Sequence, residues 1–317
     1  MNPTLQGYAA AVIDSAGSGA LAEVAADLGS VEQLVLGNGS LRSALTDTSV
    51  RGPDRRAVML DLLEGKISEP ARRVAAFAAG VVGATDVPAA LGWVATRTRH
   101  VAEGQADEEP SLSLLASRQR VSGYATAVHE DLSTQELESV EDDLFRFARI
   151  VANTPQLRSA LVDRDLDVEA RQGLVAQLLE GKVQPATLAL ARYAVVGGRA
   201  RDIVGTLDYL VEETAKARGW RIARVRSAAP IEEAQRSSLS ASLGELAGAP
   251  VELQVEIDES LLSGVLIEIG DVQVDATARG RIDALREHLV PAGWEDSGFH
   301  RSGIRSAASS TQTEGAG

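Results

Sequence analysis

The sequence has no cysteine, so disulfides, thiolate nucleophiles and cysteine-ligated metals are excluded. It also has few aromatic residues, 3% of the chain, although hydrophobic residues make up 44%. Alanine, leucine and valine must therefore fill most of the core. That composition favours helices packed through small and medium side chains.

Basic residues are outnumbered as well. Lysine and arginine total 31 against 45 acidic residues, which gives the 317-residue chain a formal net charge of −14. Phosphate backbones and anionic lipids repel such a surface, so we expect no nucleic-acid partner. The longest uncharged apolar run, residues 74–85, is shorter than the roughly 20 residues of a membrane-spanning helix. No signal-peptide pattern opens the sequence. We expect a cytoplasmic protein without direct membrane insertion.

A repeat relates the first third of the chain to the second. Three blocks recur with the same displacement of 116 residues: 7–12 (GYAAAV) at 123–128 (GYATAV), 41–45 (LRSAL) at 157–161, and 62–66 (LLEGK) at 178–182. One unchanged displacement over three blocks indicates two copies of one domain.

Both copies are predicted to be helical bundles. Apolar residues recur at three- and four-residue steps, which places them on one helix face. In the first copy these are Leu21, Val24, Leu28, Val31 and Val35, and in the second Leu137, Val140, Leu144, Phe147 and Val151. Gly65 and Gly181 each follow a Leu-Leu-Glu block and are predicted to end a helix in the left-handed conformation.

After residue 218 the periodicity changes to that of strands. Residues 221–226 and 251–257 alternate, 261–269 and 272–274 are predicted to be further strands, and 231–246 and 278–289 are predicted to be helices. The predicted fold class is mostly α, with two tandem antiparallel helical bundles followed by a small α/β domain. The predicted boundaries are 1–102 for the first copy, 103–118 for an acidic linker, 119–217 for the second copy, 218–291 for the α/β domain and 292–317 for a disordered tail.

No pattern of catalytic or metal-binding residues emerges. The four histidines are far apart and form no metal-binding pair. Acidic residues cluster near predicted strand ends, where turn and capping roles account for them. They are Asp258, Glu259, Asp271 and Asp275. An enzyme that uses these carboxylates remains an alternative, but we expect no catalytic site, cofactor or metal.

The stretch 257–275 resembles the C-terminal signature of the delta subunit of rotary F-type ATP synthases, called OSCP in mitochondria. The matching positions are Asp258, Leu262, Gly264, Val265, Gly270, Asp271 and Asp275. Residues 223–230 are similar to the family's entry into this domain. Tyr124, Ala125, the Pro-x-Leu at 155–157, Gly198 and Arg199 are similar to its helical domain. The resemblance covers about 119–290, and two departures stand out: Ser263 replaces the family's usual glycine, and the copy at 5–101 is extra.

The resemblance implies a non-catalytic stator subunit in the peripheral stalk. Its helical domain would hold N-terminal segments of the alpha subunits, and its C-terminal domain would bind the C-terminal end of the b subunits. Such a link couples proton-driven rotation to ATP synthesis and would keep the chain at the cytoplasmic face of the cell membrane. We expect the second copy to fill the family's usual role because it keeps Gly198 and Arg199, with the first copy as a brace. The alternative is a duplicated helical adaptor unrelated to rotary ATPases.

Overall fold

Helices dominate the parts of the chain that the computed structural model describes, which are residues 1–105, 113–163, 165–198, 202–258, 261, 263–269 and 272–275. Within these ranges the chain forms twelve α-helices, a short 3-10 turn and four strands. The predicted fold class, mostly α with a small α/β region after the helices, is confirmed. One compact unit contains residues 1–222 and 238–252, and a second contains 223–237 and the described residues from 253 to 275.

The first copy is built from five α-helices and the 3-10 turn. They are α1 (Pro3–Gly37), α2 (Gly39–Thr46), α3 (Gly52–Leu63), α4 (Glu69–Val81), the turn Ala84–Asp86 and α5 (Val87–Ala102). Helix α1 is interrupted at Gly17, whose φ of 64° and ψ of 160° are not helical. Because only glycine adopts this conformation easily, Gly17 lets one continuous run supply two helical arms.

The second copy repeats this order with the first helix divided in two. Its helices are α6 (Leu114–His129), α7 (Thr134–Asn153), α8 (Pro155–Val162), α9 (Val168–Leu179), α10 (Pro185–Gly197) and α11 (Ile203–Ala217). Ser113 caps α6, which therefore begins five residues before the predicted start of this copy at 119. Ser133, the equivalent of Gly17, starts α7 with a capping box to Glu136.

The predicted core stripes are confirmed in both copies. All ten residues of the two stripes are buried. Eight of them, all but Leu21 and Leu137, share one core with the inner faces of α4, α5, α10 and α11. Gly65 and Gly181 adopt φ values of 65° and 72°, the left-handed conformation predicted for them after their helices. Two sequences that have diverged elsewhere thus keep one packing plan.

The two copies contact each other where α1 crosses α6. At this crossing the helix backbones approach so closely that only glycine fits. A Cβ on Gly7 would lie 1.7 Å from the carbonyl oxygen of Arg120, and a Cβ on Gly123 would lie 1.9 Å from that of Thr4. The displacement of 116 residues relates Gly7 to Gly123 and Thr4 to Arg120. Each copy therefore presents the same surface to the other, as in a twofold dimer.

Two tyrosines extend this crossing on either side. The Tyr8 ring stacks on Phe77 at 3.8 Å within its own copy. Its hydroxyl donates to Glu130 of the other copy at 2.5 Å. The displacement maps this set onto Tyr124, which stacks on Tyr193 at 3.8 Å and donates to Asp14 at 3.0 Å. The duplicated sequence thus forms a dimer-like interface within one chain.

The strands follow the helices in a four-stranded sheet of order β2-β1-β3-β4, with β1 (Arg221–Ser227), β2 (Val251–Ile257), β3 (Val265–Ile269) and β4 (Val272–Asp275). Strand β3 is antiparallel to both of its neighbours. Helix α12 (Glu233–Ala247) connects β1 to β2. The prediction of a strand from 261 was wrong for its first residues, because Gly264 adopts a φ of 91° and β3 begins only after it. The predicted helix 278–289 and the predicted tail lie outside the described residues.

Replacing Gly7 or Gly123 by alanine should separate the two copies or strain both helices. Overpacking of this kind costs about 1–3 kcal/mol, and a backbone oxygen cannot move aside as a side chain can. Gly29 in α1 is the matched control, because a Cβ there meets nothing within 4 Å. Gly29→Ala should instead stabilise the chain by about 0.5–1 kcal/mol. Urea unfolding of the three variants tests this, and equal effects at Gly7 and Gly29 would contradict the close crossing.

Candidate functional site

A cleft opens in the second copy between α6 and α11. It has a volume of about 380 Å³ and is lined by Ala125, Thr126, His129, Glu130, Glu213, Lys216 and Ala217. The small side chains of Ala125, Thr126 and Ala217 leave this space between the two helices. Ionisable groups surround them, so the cleft combines a floor of small side chains with a charged rim.

Hydrogen bonds and cations order the α11 side of the cleft. Glu213 accepts from the Ser122 hydroxyl at 2.5 Å and from the Lys216 ammonium at 2.7 Å. Lys216 and Arg118 also lie over the Tyr209 ring, 5.8 Å and 5.5 Å from its centroid. Burial, followed by the charge of Glu213, raises the pKa of Tyr209. This rim is therefore held in place before any partner arrives.

His129 is the buried ionisable group of the cleft. Its Nε2 lies 3.1 Å from the Thr214 hydroxyl, which itself donates to the carbonyl oxygen of Leu210. We therefore assign the proton of the neutral ring to Nε2. Burial lowers the pKa of His129 to about 4, and the nearby Glu213 opposes this shift only in part. At neutral pH the ring is uncharged.

Glu130, at the end of α6, is held by side chains of the first copy. Its carboxylate accepts from Arg56 at 2.5 Å, from Arg73 at 3.0 Å and from Tyr8 at 2.5 Å. One residue thus lines the cleft of the second copy and contacts three residues of the first. No sequence pattern pointed to Glu130, because its partners lie far from it along the chain.

The predicted motif positions of the helical domain lie in the core and at a helix end. Tyr124 and Ala125 are buried in α6, and Ala125 also lines the cleft. Gly198 follows α10, where a Cβ would lie 2.5 Å from the carbonyl oxygen of Ala194. Glycine is therefore required there for close packing. Arg199 lies outside the described residues.

The predicted C-terminal motif positions meet at one end of the sheet. Asp258, which follows β2, donates its backbone N–H to the Ser227 carbonyl oxygen at 2.9 Å, and its carboxylate pairs with Arg226. The Gly264 carbonyl accepts from the N–H of Ala228 at 3.4 Å. Asp258 and Gly264 thus both contact the end of β1.

The remaining described members of this motif belong to the ladders. Val265 begins β3 opposite Ser227, and Asp275 ends β4 opposite Leu266. Leu262, Gly270 and Asp271 lie outside the described residues. The part of the motif that can be described fixes how the strands end and pair. The structural role predicted for its residues stays a prediction.

A charge cluster that the sequence did not indicate, buried at Arg218 and Glu141, joins α7, α11 and the start of β2. Arg218 donates to Glu141 at 2.8 Å and to Glu252 at 2.5 Å. Burial, together with the charge of Glu252, raises the pKa of Glu141 to about 7 although Arg218 opposes the shift. The three residues are distant in sequence, so no local pattern predicts their contact.

Neither a metal site nor a membrane span is found in the described parts of the chain. No group of three or more His, Cys, Asp or Glu side chains there could hold a metal ion. Likewise, none of the described helices is long and apolar enough to cross a bilayer.

Comparison with known families gives a match to both helical copies and to the sheet. The family model described as "ATP synthase delta (OSCP) subunit" matches residues 5–79 and 121–289, more than three quarters of the chain. The chain belongs to this family. This membership is incompatible with an adaptor unrelated to rotary ATPases. It also shows that the first copy carries the family's sequence pattern, which the motif resemblance over 119–290 had left out.

Curated relatives share the duplicated length. The "ATP synthase subunit delta" of Rhodococcus opacus is 34% identical over 276 residues, 86% of this chain and 89% of that protein. The protein of the same name from Parafrankia sp. is 34% identical over 267 residues, 84% and 86% of the two chains. Alignments this long must extend well into the first copy. The extra copy is therefore a feature of these relatives too.

A solved structure also resembles part of the chain. In the "Cryo-EM structure of Toxoplasma gondii mitochondrial ATP synthase hexamer", one chain is 18% identical with a TM-score of 0.40. The similarity covers 54% of this chain and 96% of that one.

The neutral state of His129 predicts a pH dependence of stability. The unfolded chain takes up a proton near pH 6.5, whereas the folded chain takes it up only near pH 4. Because the folded chain resists protonation of His129, the contribution of this residue to the free energy of unfolding is fully present above pH 6.5 and is lost as the pH falls towards 4. His129→Gln, which cannot titrate, should reduce this acid-side loss by up to roughly 3 kcal/mol.

Urea unfolding between pH 4 and pH 7 measures this effect. His100→Gln is the control, because His100 is exposed at the end of α5. If both variants keep the slope of the unaltered chain, His129 is not the group that titrates.

Proposed function

We propose that this chain is a non-catalytic stator subunit in the peripheral stalk of an F-type ATP synthase. Its second helical copy binds N-terminal segments of the alpha subunits, and its C-terminal α/β region binds the C-terminal end of the b subunits. The link holds the catalytic head against rotor torque, so that proton-driven rotation is coupled to ATP synthesis. The chain is then peripheral to the cytoplasmic face of the cell membrane and is retained there by the complex.

The cleft between α6 and α11 is the observation that carries this proposal. Its floor of small residues admits the apolar side chains of a partner helix, and its rim offers both signs of charge, as in Glu213 and Lys216. An amphipathic helix suits such a groove because its apolar stripe enters while its flanking charges meet the rim.

The corresponding helices of the first copy differ at the matching positions. Where the second copy has Thr126 and His129, the first has Ala10 and Ile13, both buried in its core. Aliphatic side chains thus replace two polar ones at the equivalent place. This difference supports assigning head binding to the second copy, with the first copy in another role.

The sheet supports the second half of the proposal. Strand β2 lies at one edge of the four-stranded sheet, and Ile257 at its end is 54% exposed. An edge strand has one side without a sheet neighbour, so a partner can reach its backbone there. The end of the b-subunit stalk is our proposed partner there.

Filling the cleft should abolish one interaction and spare the other. Ala217 lines the cleft and is exposed, so Ala217→Trp adds an indole without entering the core. We expect it to weaken binding of the full chain to the catalytic head at least tenfold and to leave binding to the b-subunit tail unchanged. Purified head complex and b tail from the same organism, titrated against the full chain, give both affinities.

Ala102→Trp is the matched control, because Ala102 is an exposed alanine at the end of α5 and lies outside the cleft. It should leave both affinities within twofold of the unaltered chain. Failure of the unaltered chain to bind either partner would overturn the stator proposal. Equal binding of Ala217→Trp and Ala102→Trp to the head would overturn the assignment of the cleft.

A further inference from the structure

The last turn of α6 is held by hydrogen bonds and ion pairs from side chains of the first copy. The Arg73 guanidinium donates to the Glu130 carboxylate at 3.0 Å, to that of Asp131 at 2.6 Å and to the carbonyl oxygen of Ala127 at 2.8 Å. Arg56 donates to Glu130 at 2.5 Å. These contacts satisfy both the carboxylates and one of the free carbonyls that end a helix.

The negative charges at the end of α6 explain why cationic partners are needed there. The C-terminal end of a helix carries partial negative charge, so the carboxylates of Glu130 and Asp131 are unfavourable there. Two arginines and the Tyr8 hydroxyl, all from the first copy, offset that charge. The Arg73 side chain is 19% exposed and that of Glu130 25%, so water screens the contacts only in part.

The two arginine contacts have no counterpart in the other direction, although Tyr124 of the second copy donates to Asp14 of the first as Tyr8 does to Glu130. The displacement of 116 residues maps Arg56 and Arg73 onto Gln172 and Ala189, neither of which is a cation. The second copy therefore cannot make the two arginine contacts in the other direction. Helix α6, which these arginines contact, forms one wall of the cleft, and Glu130 itself lines that cleft.

We propose that the first copy holds the cleft of the second copy in its binding shape, and that Arg56, Arg73 and Tyr8 act as positioning residues through Glu130. This inference rests on the proposed function, in which the cleft receives an alpha-subunit segment. The first copy then needs no contact with the catalytic head. It sets the end of α6 and keeps the Glu130 carboxylate from entering the cleft beside Glu213.

The affinity of the full chain for a synthetic peptide of the alpha-subunit N-terminal segment tests this. The double variant Arg56→Gln, Arg73→Gln should bind the peptide at least fivefold more weakly and should show faster amide exchange at residues 127–131. Tyr8→Phe removes only a hydroxyl and should weaken peptide binding two- to threefold. This variant keeps the ring in the core, so it tests the inference even if the double variant does not fold. Arg72→Gln is the control, because Arg72 pairs with Glu69 inside the first copy. Its affinity for the peptide should stay within twofold of that of the unaltered chain.

A double-mutant cycle separates positioning from general stability. In a Glu130→Gln background, the two arginine substitutions should weaken peptide binding by less than the fivefold expected with Glu130 present, because Arg73 then keeps only its contacts to Asp131 and the Ala127 carbonyl. The same fivefold loss in both backgrounds would overturn the inference, as would equal binding by the unaltered chain and the arginine variants. If the unaltered chain does not bind the peptide at all, the proposed function itself fails.

Discussion

The close crossing of α1 and α6 is the constraint on which the rest of the structure depends. Gly7 and Gly123 let each helix place a carbonyl oxygen against the other's Cα, which no residue with a side chain allows. This approach brings Tyr8 to Glu130 and Tyr124 to Asp14. Two copies that are consecutive in sequence thereby share one interface and one core.

Duplication followed by divergence explains how this arrangement can serve one partner. A twofold-like interface gives both copies the same environment, so differences must come from single positions. Arg73 has no cationic counterpart in the second copy, and His129 has an aliphatic counterpart in the first. The first copy thus provides the arginines that hold Glu130, and the second provides the cleft. In the proposed stator role, a body of two copies joined by this interface would transmit torque without any catalytic group.

Much of the fold follows from the sequence because its signals are local. The apolar stripes, Gly65 and Gly181, and the alternation in β2 are set by residues within one or two turns of each other, and all were predicted. The start of β3 was not, because the left-handed conformation of Gly264 ends an apolar run that reads as continuous strand. The contacts that hold Glu130 were not predicted from the sequence either. Its partner Arg73 lies 57 residues away, and only the helix crossing brings them together.

Amide hydrogen exchange of the intact chain, measured by mass spectrometry under native conditions, tests most directly whether the two copies form one body. The crossing residues 5–13 of α1 and 120–127 of α6 should exchange with the same opening free energy and lose protection together as urea is added. Independent exchange, with α1 opening at low urea while α6 stays fully protected, would contradict the account.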